Sequence, residues 1–306
     1  MTNNTPLRAP YLVMDDFLPS AVAQEMRAAV EAHLGNPYRH SPQTHMDWDY
    51  WHVPALYTYL RTLPEKVIGP RLTEIFHDRL FQWSSETLGL GAAKASYLSL
   101  YVNGCRQNQH NDSTNGRFGF VYSLTKNSRR TSGGETLIWR EDDYFETRIH
   151  RPCTGADFFQ SIEPRFNRLL VFDDRMPHAV QLVEGNMDPL EGRIVIHGHI
   201  KEAGPIVYGL LPHGLVLDLA NQLASGYATD LGNSLMIYHG PAAVRFTVQP
   251  DGTVVGAHLI LDRVRRLRGE GPGVQEMLAE LVNRISNLRF PSSSEETIVA
   301  LPFGFG

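Results

Sequence analysis

The feature that most constrains this chain is the texture of residues 95–200. Apolar and β-branched residues gather there in short runs, at 96–102, 119–124, 136–139, 169–172 and 193–200, with turn-forming clusters between them. Runs of this length suit strands better than packed helices, so an antiparallel sandwich or barrel is the expected product.

The flanks read differently. Residues 11–18 form a short apolar strand ending in acids, followed by a helical pattern in which Val22, Met26, Val30 and Leu34 recur at steps of four. Ser20 can cap its start and Gly35 its end. Residues 36–63, rich in His, Trp, Tyr and Pro, read as irregular. A second helix is expected from Pro70 to just before Gly89, burying Leu72, Ile75, Phe76, Leu80, Trp83 and Leu88.

Beyond residue 203 the plan changes again. Residues 204–239 read as a connector with its own helix near 215–223. In 240–306, Val244, Phe246 and Val248 alternate with polar residues, Pro250-Asp251-Gly252 makes a turn, and 254–261 is a return strand. A helix then buries Val274, Met277, Leu278, Leu281, Ile285 and Leu288, and a last strand covers 297–301. The expected class is α+β, with a β-rich domain over 1–203 and a small α+β domain over 240–306.

At 306 residues, 42% hydrophobic and 20% charged, the chain reads as ordinary and globular. A net charge of -5 argues against nucleic acid as a partner, because phosphate neutralisation needs a surplus of Lys and Arg. No run approaches the roughly 20 apolar residues that span a bilayer, and the start lacks a signal-peptide core. No membrane association and a cytoplasmic location are therefore expected. Cys105 and Cys153 are expected to stay reduced, and neither sits in a nucleophile setting.

Chemistry enters with His110-Asn111-Asp112. On a strand, residues i and i+2 project from one side, so a His-x-Asp triplet offers an imidazole and a carboxylate to one metal ion. Ferrous oxygenase sites combine two imidazoles with one carboxylate and leave positions open. His178, ending 172–178, can supply the second imidazole. The triplet alone is weak evidence, since His45-Met46-Asp47 repeats it in the irregular segment, where it reads as part of a loop.

Five elements in order strengthen the case: Tyr101-Val102-Asn103-Gly104, the triplet, Gly133-Gly134-Glu135-Thr136, Arg175-Met176-Pro177-His178 and Gly192-Arg193. With the Asp-Asp-Phe-Leu-Pro opening, residues 10–200 resemble the 2-oxoglutarate- and iron-dependent dioxygenases, in particular their prolyl-hydroxylase-like branch. The resemblance implies a double-stranded β-helix, or jelly-roll, with flanking helices. It implies Fe(II) on His110, Asp112 and His178, O2 and 2-oxoglutarate as co-substrates, and ascorbate as a supporting reductant. By the same resemblance Arg193 grips the distal carboxylate of 2-oxoglutarate, a task that suits a planar guanidinium. Tyr101 and Tyr122 are candidate co-substrate partners, with core tyrosine the competing reading.

Two departures stand out. The interval from His178 to Arg193 is long, as if 184–191 were inserted, and His199 falls where the branch often has Trp. Strand alternation places Val195, His197 and His199 on the face of Arg193. His199 is therefore a candidate to bond substrate or co-substrate, against a buried structural histidine. Trp139, Arg106, Gln107, Arg130 and Asp173 are candidates for the pocket entrance, each equally readable as surface or core.

The implied reaction is hydroxylation of an amino-acid side chain, a prolyl residue in a peptide or protein being one case, with release of succinate and CO2. Asp112 favours hydroxylation over halogenation, since halogenating relatives lack the carboxylate. A small-molecule or natural-product substrate, another β-barrel metal enzyme, and a non-catalytic scaffold on the same fold remain alternatives. Residues 240–304 resemble the C-terminal domains of TonB-like proteins, which implies an exposed sheet edge able to pair with a peptide or with a second copy as a homodimer.

Overall fold

The computed structural model describes residues 5–35, 47–126, 130–140, 158–202, 204–232, 237–267 and 271–306, with backbone alone at 92–95. His45, Met46 and Cys153 lie outside the described residues. The chain divides into two compact units, one of 10–79 with 93–200 and another of 1–9, 80–92 and 201–306.

In chain order the elements up to residue 201 are β1 (Tyr11–Met14), α1 (Ser20–Gly35), β2 (Asp49–Val53), β3 (Tyr57–Thr62), α2 (Pro64–Val67), α3 (Pro70–Thr87) and β4 (Gly91–Tyr101). They continue through β5 (Arg106–His110), β6 (Phe118–Ser123), β7 (Thr131–Ser132), β8 (Thr136–Trp139), β9 (Phe159–Ile162), β10 (Leu169–Asp173), β11 (His178–Val180), β12 (Glu184–Gly185) and β13 (Arg193–Lys201). Eleven of these strands share one sheet, in the order β1-β10-β6-β13-β4-β3-β5-β11-β8-β9, with β2 on β3. All of its recorded pairings are antiparallel. The result is a curled antiparallel half-barrel with a few helices, consistent with the expected jelly-roll.

Alternation decides what each strand buries. On β13, Ile194, Ile196 and Ile200 are almost fully covered and sit on the face opposite Arg193. Their face continues into Tyr122, the register partner of Ile196, and Phe120, the partner of Gly198. Phe76 of α3 packs on both aromatic rings, at 5.1 and 5.9 Å between centroids. The opposite face carries the polar residues described below.

One expectation fails here. Residues 36–63 are not irregular throughout, because β2 and β3 form a hairpin with Asp49↔Arg61 and Trp51↔Tyr59 as register partners. One face carries Trp51, Val53, Tyr57, Tyr59 and Arg61 and the other Tyr50, His52, Thr58 and Leu60, so aromatic and polar residues mix on both faces and no clean apolar alternation marks the strands. The long interval after His178 is also partly ordered, since Glu184 and Gly185 pair with Ser132 and Thr131.

The second unit carries β14 (Ile206–Tyr208), α4 (His213–Leu231), β15 (Tyr238–Val248), β16 (Val254–Asp262), β17 (Arg265–Arg266), α5 (Val274–Ser286) and β18 (Thr297–Phe305). Its sheet has five strands in the order β14-β18-β15-β16, with β17 on β15, where the sequence suggests three. β14 is too short to show a pattern and forms because β18 offers it an edge, Val207 opposite Val299. Val244, Phe246, Val248, Met277, Leu278, Leu281, Ile285 and Val299 make the core. Among the described residues no helix is long and apolar enough to cross a membrane.

Candidate active site

Three ligand-type side chains converge on the inner face of the half-barrel. His110 ends β5, Asp112 follows it, and His178 begins β11 directly opposite His110 in register. One ligand atom from each of the three lies within 4.8 Å of the other two. Asp112 Oδ2 is 3.3 Å from His178 Nε2 and 3.9 Å from His110 Nε2.

The surroundings fix which atoms are presented. His110 Nδ1 donates to the Asn108 carbonyl at 2.7 Å and His178 Nδ1 to the Met176 carbonyl at 3.0 Å. Each bond puts the ring proton on Nδ1 and leaves the Nε2 lone pair for a metal ion. Asp112 Oδ1 accepts from Asn115 Nδ2 at 3.0 Å, so Oδ2 is the free oxygen. Burial holds His110 below the usual imidazole range, and the nearby His178 adds to the effect. Burial alone would raise the Asp112 pKa, but the neighbouring His178 and His110 imidazoles outweigh it and lower it. Neutral imidazoles and an ionised carboxylate are the forms that bind divalent iron.

Local sequence explains the approach. Between His178↔His110 and Val180↔Gln107 the register slips, so β5 bulges beside the ligands, as strands often do at active sites. The turn entering His178 is held by Asp173, whose carboxylate accepts from Arg175 N, Nε and Nη2 at 3.0, 2.9 and 2.6 Å.

Arg193 lies on the same inner face and is buried. Its guanidinium stands over the Tyr101 ring at 4.7 Å and Nη2 donates to Thr136 Oγ1 at 3.2 Å. Its Nε is buried with no partner among the described residues. An unpaired buried guanidinium N–H is costly, and a carboxylate in this pocket would satisfy it. Gly134 makes room, since a Cβ there would come within 3.1 Å of Arg193 Cδ, and its φ of +81° is one that side chains resist. Iron on the three ligands and 2-oxoglutarate on Arg193 therefore fit the donors that are present. Glu135 Oε2 in the same turn is also buried without a partner among the described residues.

Other expected residues fall differently. Tyr101 lies under Arg193 and stacks on Tyr59 at 5.0 Å, and burial drives its phenol well above the usual range. Tyr122 is on the opposite face. Its hydroxyl donates to Asn167 Oδ1 at 2.8 Å, so it is a core tyrosine and does not reach the co-substrate pocket. Ile196, its register partner, shows why: Tyr122 has the wrong strand parity to share a face with Arg193.

His199 Nδ1 bonds both oxygens of buried Asp174, at 3.0 and 3.1 Å. Burial pushes the Asp174 carboxyl up to about 6, against the pull of His199. Asp112, Asp174 and His199 form a second cluster of ligand-type atoms, but His199 Nδ1 and Asp174 already satisfy one another. His197 bonds Ser99 Oγ at 2.8 Å, and burial, with the Arg193 charge, depresses its pKa to about 3.

Of the entrance candidates, Asp173 is a buried turn residue, Trp139 packs on Phe159 at 5.4 Å, and Arg106 and Arg130 are exposed. Gln107 contacts the Tyr59 hydroxyl. Asp47, the one described residue of the second triplet's ligand pair, forms an ion pair with Lys66 at 3.4 Å. The sequence reading misses Tyr57 and Tyr59. Tyr57 meets the His110 ring edge-on at 5.0 Å, and the i, i+2 spacing of tyrosines in a segment taken as irregular was the available signal.

Comparison with known proteins agrees with this geometry. Residues 96–201 match the 2OG-Fe(II) oxygenase superfamily. The chain thus carries a 2OG-Fe(II) oxygenase domain, with the ligand triad and Arg193 inside the matched segment. It is a dioxygenase that uses Fe(II) and 2-oxoglutarate. Among solved structures it is similar to a Pseudomonas putida prolyl-4-hydroxylase, at 14% identity and TM-score 0.47, over 63% of this chain and 92% of that one. A Trichoplax adhaerens prolyl hydroxylase in complex with a hypoxia inducible factor peptide matches at 16% identity and TM-score 0.44, over 61% and 81%. The epimerase SnoN from nogalamycin biosynthesis matches at 14% identity and TM-score 0.43, over 68% and 83%. No curated protein matches the chain.

Proposed function

We propose that the protein is a hydroxylase of an amino-acid side chain, with His110, Asp112 and His178 as iron ligands and Arg193 as the anchor of 2-oxoglutarate. The carrying observation is that the triad presents two Nε2 atoms and one free carboxylate oxygen to a common point, while an orphaned guanidinium N–H lies on the same sheet face. When bound, the iron and 2-oxoglutarate supply the oxidation, with O2 consumed and succinate and CO2 released.

The protein's own contribution is geometric. Asn108 and Met176 carbonyls hold the imidazoles as ligands, Asn115 turns Asp112 Oδ2 inward, and Tyr101 supports Arg193 from below. Tyr57, Tyr59 and Tyr101 form an aromatic wall that limits water near the ligands. A peptidyl proline is one substrate of this class.

Anaerobic addition of Fe(II) and 2-oxoglutarate should give a weak visible absorption band that is absent in Asp112→Ala and weaker in Arg193→Ala. Absence of the band in the wild-type chain refutes the reading. For residues 240–304, we propose that β16 offers part of its outer edge, residues 254–259 beyond the stretch that Leu7 already bridges at Leu261, to a second copy. Sedimentation of the intact chain and of a Val255→Lys variant tests it, a monomer in both counting against it.

A further inference from the structure

β3 carries a second guanidinium that the proposed chemistry does not use. Tyr57, Tyr59 and Arg61 alternate along one face of the strand, and they connect the iron ligands to a second polar position. Tyr57 touches His110, Tyr59 lies 6.5 Å from Tyr57 and 6.3 Å from His197, and the Arg61 charge helps to depress the His197 pKa. His197 thus feels the charge of both guanidinium groups, Arg193 and Arg61.

Arg61 is held by rings rather than by an anion. Its Cζ lies 3.6 Å from the centroid of the Trp51 ring and 4.4 Å from that of Tyr97. Among the described residues it makes no ion pair, although Asp49 is its register partner across the hairpin. Its Nε is buried with no partner among the described residues. Two cation–π contacts and a hydrogen bond to the Tyr59 hydroxyl hold the guanidinium in place, while its Nε–H is left unsatisfied and fits a carboxylate. Trp51 and Tyr97 are 36% and 37% exposed, so the clamp is open to an incoming molecule.

We infer that Arg61, clamped by Trp51 and Tyr97, is the recognition site for a carboxylate on the substrate. This rests on the oxygenase reading for the place of chemistry. The carboxylate is either the α-carboxylate of a free or N-acylated amino acid or the side chain of an acidic residue in a peptide. Tyr57 and Tyr59 then line the path between that anchor and the iron ligands. Arg193 serves the co-substrate and Arg61 the substrate, which assigns one anion to each guanidinium.

The test is ligand-observed NMR on the full chain loaded with zinc and saturating 2-oxoglutarate, so that Arg193 is occupied. Three probe sets are compared: N-acetyl amino acids with a free α-carboxylate, the α-amides of N-acetyl-aspartate and N-acetyl-glutamate, and neutral N-acetyl amino amides. One acid set is expected to bind and the neutral set not, and the acid set that binds identifies the source of the carboxylate. Arg61→Gln should weaken that binding about ten-fold or more, as loss of a charge-assisted contact does, with Arg61→Lys intermediate. Wild-type Trp51 fluorescence should respond to the same acid, a readout that needs no Arg61 variant to fold, and Trp51→Phe should lose the response. Equal binding of acids and amides, no binding of either acid set, or unchanged affinity in a folded Arg61→Gln each overturn the inference. The Fe(II)–2-oxoglutarate absorption band of the same proteins reports separately on the oxygenase reading.

Discussion

His178 stands directly across from His110 in the pairing of β11 with β5, and their ring centroids lie 4.3 Å apart. A metal site assembled this way draws on strands separated in sequence by the whole middle of the domain. It exists only when the sheet has closed, so iron and folding should be coupled. Asp112→Ala is expected to lower Fe(II) affinity by at least about 100-fold, since even groups one contact removed from a metal are worth about 10–100-fold. Anaerobic calorimetry measures this, and wild-type affinity in the variant would discard the ligand assignment.

Arg193→Lys keeps the charge but loses the fork of N–H donors. A rise of roughly ten-fold or more in the KM for 2-oxoglutarate is expected, with Fe(II) affinity unchanged. Succinate release against 2-oxoglutarate concentration gives the KM. An unaltered KM would move the co-substrate anchor elsewhere.

Tyr122→Phe separates core from pocket. The hydroxyl is buried and bonded to Asn167 Oδ1, which also accepts from Leu18 N. Its loss should cost about 1 kcal/mol in urea unfolding and leave the KM for 2-oxoglutarate as it was. A raised KM with normal stability would return Tyr122 to the co-substrate.

Cys105 gives a pH prediction. Burial raises its thiol above the ordinary range, so it gives up its proton less readily than an exposed cysteine does. Because the folded pKa is the higher one, the stability it contributes is full below the unfolded value and declines as pH rises past it. In a Cys153→Ser background, Cys105 should react with a disulfide reagent at pH 8 to 9 only after denaturant is added. Rapid labelling of the native chain would show that the thiol is accessible.

The five β-rich runs were legible because each is bounded by turn residues, and α1 and α3 because their apolar period is clean. Asp112 and the two histidines were legible because the triplet and a later histidine stand in order with Tyr101–Gly104, Gly133–Thr136 and Gly192-Arg193, a context the second triplet at His45 lacks. Tyr122 and the β2–β3 hairpin were not. Tyr122 looks the same in sequence whether it faces Asn167 or the pocket, and only the register with Ile196 decides. In the hairpin, an arginine joins the aromatic residues of one face while Tyr50 and Leu60 sit on the other, so no clean apolar alternation marks the strands. The partner of β14, likewise, is an edge some ninety residues downstream that no local pattern announces.

Arg193, His197 and His199, at odd positions of β13, carry the polar chemistry, while Ile194, Ile196 and Ile200 are seated in the apolar layer behind. A single inserted residue within that strand would turn isoleucines toward the metal and send the guanidinium into oil, whereas a pair of residues would restore the parity. The turn at 187–189, between the β12 pairing and the start of β13, carries no such parity, so it can lengthen or shorten while the strand that follows it must change, if at all, by twos.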